Sequence, residues 1–254
     1  GSYSQLLTTR IYDTDKGSYT TLPTVATVKV WVTNNTLDNF VEVFSGAATN
    51  SWINSSFDPG CTPTRFEVGP QKWKSGVINS QYLKDINSTN YTINITTVNL
   101  TFILFQPLNS LLALKGIDNV VFRGNVTDDC GGVPNVTITF ISQQVGLSPS
   151  DKDCSSQDSI TYEGNGNYNC IFKNTTHSSE TEWRYGYVNV SMYATRNYYN
   201  SSPIQFHTNG YYLTSRPSFS INLPPSGLFG NDWGDTWTFP IRGTDSDYST
   251  ANGS

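Results

Sequence analysis

Apolar and polar residues alternate along much of this chain, which is the pattern of a β-strand with one buried face. Alternating runs occur at residues 26–32, 91–96, 135–141 and 186–194. An Asn-Gly pair within residues 163–167 separates two further runs, and such pairs favour tight hairpin turns. No stretch keeps apolar residues at the i, i+3, i+4, i+7 spacing of an amphipathic helix over three turns. The pattern predicts an all-β protein.

Composition agrees and excludes several functional classes. The 254 residues suit one large domain or two ordinary ones, and the strong helix former methionine occurs once. Only 14% of residues are charged and the net charge is −5, so no cationic surface for a nucleic acid is expected. The longest apolar run, residues 102–114, is broken by Gln106, Pro107 and Asn109. It is too short to span a membrane, so we expect no transmembrane segment.

Acceptor triplets for N-linked glycans, Asn-x-Ser/Thr, are the strongest single signal in the sequence. Twelve occur, whereas random placement of the 25 Asn among 60 Ser and Thr residues gives about six. The first eleven are our candidate glycosylation sites: Asn34, Asn54, Asn87, Asn90, Asn94, Asn99, Asn125, Asn135, Asn174, Asn189 and Asn200; the twelfth begins at Asn252. Incidental matches on an Asn-rich surface are the alternative. The excess favours a glycosylated extracellular or cell-surface protein.

Cysteine usage points to the same compartment. The chain has four cysteines, Cys61, Cys130, Cys154 and Cys170, and no C-x-x-C pair. A zinc site normally needs such closely spaced ligands, so two disulfides in an oxidising compartment are the better interpretation. Four cysteines allow three connectivities. We favour Cys154–Cys170 with Cys61–Cys130, the latter joining two domains, although the sequence does not decide between them.

Two segments of the chain are similar to each other. Residues 10–17, a hydrophobe-Pro pair and strand 26–32 correspond to residues 124–131, a second such pair and strand 135–141. The aligned Asp13 and Asp128 lie 115 residues apart, which is the size of a β-sandwich rather than of a solenoid repeat. A partial third copy occupies residues 238–247. We therefore predict two tandem β-sandwich modules, 3–116 and 117–225, followed by a linker and the first strand of a possible third module at 226–254; completion of the second sandwich by 237–241 is the alternative.

The second module resembles a known family type. Residues 118–223 are similar to immunoglobulin-like modules of the transthyretin-like, carboxypeptidase-regulatory-like type in prokaryotic surface proteins. The positions that carry the resemblance are Val126, Thr127, Asp128, Pro134, Val136, Ile138, Phe140, Gly166, Tyr168, Gly186, Tyr187, Val188, Val190 and Ala194. Low charge, dense sequons and many aromatics further resemble archaeal cell-surface and S-layer proteins. The resemblance implies two tandem immunoglobulin-like β-sandwich domains with a role in scaffolding or adhesion. It transfers no catalytic residue.

Candidate ligand sites are few. Asp13 and Asp15 belong to a D-x-D-x-G run that offers oxygen ligands to calcium, although the rest of a calcium loop is absent and an Asx-stabilised turn is the alternative. No other cofactor is expected. Trp52 and Trp233 are candidates for an exposed sugar-binding platform, with core packing as the alternative. The two histidines lie in no catalytic arrangement, so we expect no enzymatic activity.

These observations predict a non-enzymatic, glycosylated extracellular module that is part of a longer cell-surface protein, from which any signal peptide has been removed. Its expected partners are other copies or domains of the same surface protein, which it meets as a scaffold or by self-association. The alternative is an adhesin or carbohydrate-binding module that recognises a glycan or a host surface.

Overall fold

The computed structural model of the protein describes residues 4–20, 26–35, 38–80, 83–96, 99–109, 111–146, 151–156, 158–173, 185–215, 217–221 and 241–245. Strands form nearly all of the regular structure, and one 3-10 turn at Cys154–Ser156 is the only helical element in these ranges. The prediction of an all-β fold is confirmed.

The strands are, in chain order, β1 (Gln5–Arg10), β2 (Tyr12–Asp13), β3 (Ser18–Tyr19), β4 (Thr27–Thr33), β5 (Phe40–Gly46), β6 (Trp52–Phe57), β7 (Gly69–Ile78), β8 (Ile86–Asn87), β9 (Tyr91–Ile95), β10 (Asn99–Gln106), β11 (Leu111–Leu114), β12 (Val120–Asp128), β13 (Gly131–Gly132), β14 (Thr137–Gln144), β15 (Asp151–Asp153), β16 (Thr161–Gly164), β17 (Asn167–Phe172), β18 (Gly186–Thr195), β19 (Asn200–Ser201), β20 (Gln205–Thr214), β21 (Pro217–Ile221) and β22 (Ile241–Asp245).

The chain divides into two compact units. Unit 1 comprises Gly1–Leu100, Asp128–Gly131 and Thr195–Ser201, and unit 2 comprises Thr101–Thr127, Gly132–Ala194 and Ser202–Ser254. Residues 101–116 therefore group with unit 2, whereas the sequence analysis places them in the first module. They do so because β10 pairs with β12 from Thr101 onward and β11 pairs with β20.

Unit 1 is built on a sheet with the strand order β5–β4–β7–β8, in which β9 also pairs with β7. The antiparallel pair β1–β6 forms a second sheet, and β2–β3 forms a short hairpin. Inward-facing residues of both sheets form one apolar cluster: Leu7, Ala26, Val28, Val30, Val32, Ile53, Phe57, Val77 and Ile95. The alternating pattern of β4 and β6 thus buries one face of each sheet against the other.

Unit 2 contains two sheets that pack face to face. One has the order β16–β17–β12–β10, in which β13 also pairs with β12, and the other has the order β11–β20–β18–β14–β15. Asn99 and Leu100, the residues of β10 that belong to unit 1, pair with β19. The ring of Phe122 in β12 stacks on Phe172 of its own sheet and lies 6.0 Å and 6.4 Å, centroid to centroid, from Phe140 and Tyr211 of the opposite sheet. These buried aromatic rings form the centre of the sandwich.

The first strands of unit 2 change sheets. β10 runs antiparallel to β12 in one sheet, and after a short connection β11 runs parallel to β20 in the other. Three residues interrupt the apolar run 102–114: Gln106 ends β10, and Pro107 and Asn109 lie in the connection. Together with the face-to-face sheets, this arrangement gives unit 2 an immunoglobulin-like sandwich, as the sequence predicted.

Several local predictions in unit 2 are confirmed. Strand β18 covers the predicted run 186–194, and β14 covers most of 135–141. Strands β16 and β17 form the hairpin predicted around Asn165-Gly166. Both turn residues have positive φ, 51° at Asn165 and 79° at Gly166, which is the conformation that an Asn-Gly turn provides.

The cysteines form the two favoured disulfides, Cys61–Cys130 and Cys154–Cys170, with separations of 69 and 16 residues along the chain. The sequence analysis assigns Cys61 and Cys130 to different modules. Both belong to unit 1, because the segment Asp128–Gly131 packs with that unit. There the carboxylate of Asp128 binds Arg65, with 2.6 Å between Oδ2 and the guanidinium, and accepts a hydrogen bond from Tyr199.

The predicted segment 226–254 is described only at β22, which pairs antiparallel with β21. The remainder of that segment, including Trp233, lies outside the described residues.

Burial of Tyr211 predicts an alkaline loss of stability. Desolvation raises the pKa of this phenol well above its ordinary value, although the Ser142 hydroxyl 3.4 Å away partly opposes the shift. The folded state therefore holds the proton more tightly than the unfolded state. The stability of unit 2 should be intact below about pH 10, the ordinary tyrosine pKa, and should fall as the pH rises above it.

Urea denaturation of the wild type and Tyr211→Phe at neutral and alkaline pH measures this effect. The variant should lose less stability on the alkaline side than the wild type does. Tyr187→Phe, which removes a half-exposed tyrosine of the same unit, is the control and should behave as the wild type. Equal alkaline losses in wild type and Tyr211→Phe contradict the prediction.

Candidate functional site

The sequon asparagines lie on the surface of both units. The structure describes ten of the eleven candidates, and none of these ten is buried; Asn174 lies outside the described residues, as does Asn252. Seven are exposed and three are partly exposed, the latter being Asn34, Asn125 and Asn189. In β9, Asn94 is exposed between the inward-facing Ile93 and Ile95, as the alternation predicts. A glycan on this strand would also hinder pairing with another chain.

Among the sequon asparagines that the structure describes, Asn125 is distinguished by the hydrogen bonds of its amide nitrogen. Nδ2 donates to the carbonyl oxygen of Asn165 at 3.0 Å and to Oδ1 of Asn167 at 2.8 Å. An N-linked glycan replaces one of the two amide hydrogens, so it is incompatible with keeping both hydrogen bonds. Attachment of a glycan at Asn125 would therefore break at least one of these hydrogen bonds.

We expect Asn125 to carry little or no glycan in the folded protein, whereas Asn54 and Asn94 are modified. Glycopeptide mass spectrometry on chain secreted from a glycosylating host measures the occupancy of each site. The exposed Asn54 and Asn94 serve as internal controls. Occupancy at Asn125 equal to that at Asn54 contradicts the interpretation of its hydrogen bonds.

The candidate calcium residues form a turn between β2 and β3. Oδ1 of Asp13 accepts the backbone N–H groups of Asp15 and Lys16, at 3.0 Å and 3.2 Å. The ammonium group of Lys16 lies 3.8 Å from the other carboxylate oxygen, and Gly17 has a φ of +61°. Asp128 makes the corresponding bond to the N–H of Cys130, so the repeated sequence has a repeated local geometry. This arrangement favours the Asx-turn alternative over a calcium site.

Trp52 lies in an aromatic cluster with a cation at its centre. The guanidinium of Arg10 is 3.7 Å from the ring centroid of Tyr19 and 4.7 Å from that of Trp52, which is 40% exposed. Nε of Arg10 donates to the Ser51 hydroxyl. The cluster leaves part of the indole ring accessible on the surface of unit 1.

A cleft of about 410 Å³ adjoins this cluster in unit 1. The rings of Trp73 and Tyr91 lie 5.1 Å apart on one side, and the hydroxyls of Thr9 and Ser75 are 2.7 Å apart within it. Arg10 also lines the cleft. Aromatic faces beside hydroxyl groups match the alternating apolar and polar faces of a sugar. No sequence motif marks the cleft, because Thr9 and Ser75 are 66 residues apart in the chain.

Unit 2 carries an apolar groove of about 740 Å³, lined by Pro107, Leu108, Leu111, Leu112, Val121 and Arg123 among others. Two of its leucines are unusually exposed for their size, Leu108 at 64% and Leu112 at 67%. We call these lining residues the unit 2 groove. The sequence pattern of residues 102–114 indicates only that they are too short to span a membrane, and it does not predict this surface.

Arg123, which lines the unit 2 groove, forms an ion pair with Glu163. The guanidinium of Arg123 lies 2.7 Å from Oε1 of Glu163, which also accepts a hydrogen bond from Asn169. These hydrogen bonds, that from Arg123 being the stronger influence, lower the pKa of the Glu163 carboxyl below its ordinary value. Glu163 is therefore ionised at neutral pH and balances the charge of Arg123.

No group of three or more His, Cys, Asp and Glu residues positioned to hold a metal ion occurs in the part of the chain that the structure describes. Within that part, no helix has the length and apolar character needed to cross a membrane. Of the two histidines, His207 is half-buried in β20 and His177 lies outside the described residues. The absence of enzymatic activity stays a prediction.

Similarity of this chain to known proteins is found among solved structures. No family model matches the sequence, and no curated protein matches it. Among solved structures, the chain is similar to the fibronectin(III)-like modules of CbhA from Clostridium thermocellum, with 14% identity, a TM-score of 0.28, and coverage of 74% of this chain and 77% of that one. The immunoglobulin-like fold therefore rests on the strand pairings described above.

Proposed function

We propose that this chain is a non-enzymatic, N-glycosylated structural module of a cell-surface protein, which acts as a scaffold through self-association. The observation that carries the proposal is the position of the sequons: of the ten described, none is buried and seven are exposed. A chain with incidental triplets has no need to keep every such asparagine at the surface, whereas a glycoprotein does.

The two disulfides support the extracellular part of the proposal. Disulfides persist outside the cell and are rare where thiols are kept reduced. Here they use all four cysteines, which leaves no free thiol. The resemblance to surface-protein modules of archaeal S-layer type suggests the form of assembly, an array of linked sandwiches coated with glycans.

Labelling of intact cells tests the location. A membrane-impermeant amine reagent applied to cells that produce the protein should modify its exposed lysines, such as Lys16, without lysis. A cytoplasmic protein is the control and should stay unlabelled. Labelling of this protein only after lysis contradicts the proposal.

Electron microscopy of the purified chain, without added ligand, tests the scaffold role. We expect the chain to assemble into oligomers or arrays. A chain that stays monomeric contradicts the scaffold role.

The cleft of unit 1 favours a second candidate function, recognition of a glycan. Trp52 is 40% exposed, and aromatic and hydroxyl groups line the neighbouring cleft. On a glycan array this candidate predicts saturable, sugar-specific binding that Trp52→Ala abolishes. Phe206→Ala, which removes an exposed ring from unit 2, is the matched control and should leave binding unchanged. No binding to any sugar contradicts it.

A further inference from the structure

We propose that the indole ring of Trp31 is a binding site for a glycan attached to Asn87 of the same chain. The inference rests on the proposed glycosylation and adds to it a fixed place on unit 1 for the first sugar. Asn87 begins the acceptor triplet Asn87-Ser88-Thr89 and is exposed in the two-residue strand β8. A sugar attached there has a high local concentration at the ring, so even a weak contact forms.

Asn87 and Trp31 meet above a glycine. In the strand register, Asn87 of β8 pairs with Gly76 of β7, and Trp31 of β4 pairs with Lys74, two residues before Gly76. Oδ1 of Asn87 and Cζ3 of Trp31 both lie within 3.2 Å of the position that a Cβ atom on Gly76 would occupy. The acceptor amide and the edge of the indole ring are therefore close neighbours on one face of the sheet.

The shared face is the outward face of this sheet. Trp31 alternates along β4 with Val30 and Val32, which are buried in the core of unit 1. Oδ1 is the amide atom of Asn87 nearest to the Cβ position above Gly76, so Nδ2 lies farther from that strand. Since N-linked glycans are attached through Nδ2, the first sugar begins beside the indole ring.

The groups around Trp31 fit the two surfaces of a sugar. A pyranose ring has a face of C–H groups, which packs on an aromatic ring, and a rim of hydroxyl groups, which needs hydrogen-bond partners. The indole ring is half-buried, so part of it is open to a sugar. The ammonium group of Lys74 lies 5.7 Å from the centroid of this ring. On the next strand, Glu42 pairs with Trp31 and forms an ion pair with Lys29. Charged groups thus border the aromatic surface.

Removal of the glycan in the presence and absence of the ring tests the contact. Thr89→Ala destroys the acceptor triplet and leaves Asn87 and Trp31 unchanged. In the glycosylated full chain, we expect Thr89→Ala to lower the folding equilibrium constant of unit 1 at least about threefold more beside Trp31 than in the Trp31→Leu background. Trp31→Tyr keeps an aromatic ring and should keep most of this difference. Urea denaturation of each protein gives the equilibrium constants.

Thr96→Ala is the matched control. It removes the sequon at Asn94, which pairs with Pro70 on the same strand β7, about 20 Å from Gly76. Its effect should be the same with Trp31 and with Trp31→Leu. The same proteins made in a host without N-glycosylation measure the direct effects of the substitutions, and there Thr89→Ala should show no dependence on Trp31.

Two further measurements on the wild-type glycoprotein need no substitution and stand even if Trp31→Leu does not fold. Glycopeptide mass spectrometry should find Asn87 modified. NMR should show nuclear Overhauser effects between the indole protons of Trp31 and the C–H protons of the first sugar. Absence of these effects, or an equal loss on Thr89→Ala in both backgrounds, overturns the inference.

The occupancies separate this inference from the proposed function. An unmodified Asn87 in a chain whose Asn54 and Asn94 are modified overturns the inference and leaves the glycosylated module standing. A chain in which all three are unmodified contradicts the proposed glycosylation as well.

Discussion

Replacing Cys61 and Cys130 together with serine should lower the free energy of unfolding of unit 1 by about 4 kcal/mol. The two cysteines are 69 residues apart, so the bridge removes a large loop-closure entropy from the unfolded chain. The bridge also fixes Asp128–Gly131, the segment whose carboxylate binds Arg65 and Tyr199. Loss of the bridge should therefore lower the stability of the whole of unit 1.

Scanning calorimetry of the oxidised proteins measures the loss. The matched control is the double serine variant of Cys154 and Cys170, which removes a bridge across a 16-residue separation and should cost about 3 kcal/mol in unit 2. The two pairs should therefore affect different transitions. A Cys61/Cys130 variant that unfolds at the wild-type temperature contradicts the account of unit 1.

Truncating Phe122 to alanine should destabilise unit 2 by about 3–5 kcal/mol, which is the usual range for a buried phenylalanine. The ring is completely buried and contacts aromatic rings of both sheets, so its removal leaves a cavity at the centre of the sandwich. Urea denaturation followed by circular dichroism gives the change in unfolding free energy. Neighbouring side chains should not move far enough to fill this cavity, because the interior of the sandwich is close-packed.

Phe206→Ala is the control for Phe122→Ala. It removes the same side chain from a position of unit 2 that is 52% exposed, and it should change stability by less than about 0.5 kcal/mol. Equal losses in the two variants would show that Phe122 is not at the centre of the core.

The local structure of this chain was predictable because its signals lie within short segments. The Asn165-Gly166 turn and the alternation of β18 each depend on residues within a few positions of one another. The disulfide between Cys154 and Cys170 could be favoured for the same reason, since it closes a short loop.

Long-range structure was not predictable in the same way. The pairing of Leu111 with Tyr211 places β11 in unit 2, and nothing near Leu111 in the sequence signals that partner. The hydrogen bonds of Asn125 likewise reach Asn165 and Asn167, 40 and 42 residues away. The sequence therefore marked Asn125 as a sequon but gave no sign that its amide is engaged.

The candidate sites also differ in whether they depend on local or on long-range structure. The Asp13 turn was readable as a turn because its hydrogen bonds are local. The unit 2 groove was missed because alternation shows which residues face outward, but not which outward faces stay uncovered.

Glycan occupancy on the protein taken from the surface of its own cells tests the central claim most directly. Mass spectrometry of the peptides that contain Asn54, Asn94 and Asn135, three exposed sequon asparagines, should find them modified, and enzymatic release of the glycans should return the unmodified masses. Finding all three peptides unmodified would contradict the account of a glycosylated extracellular module.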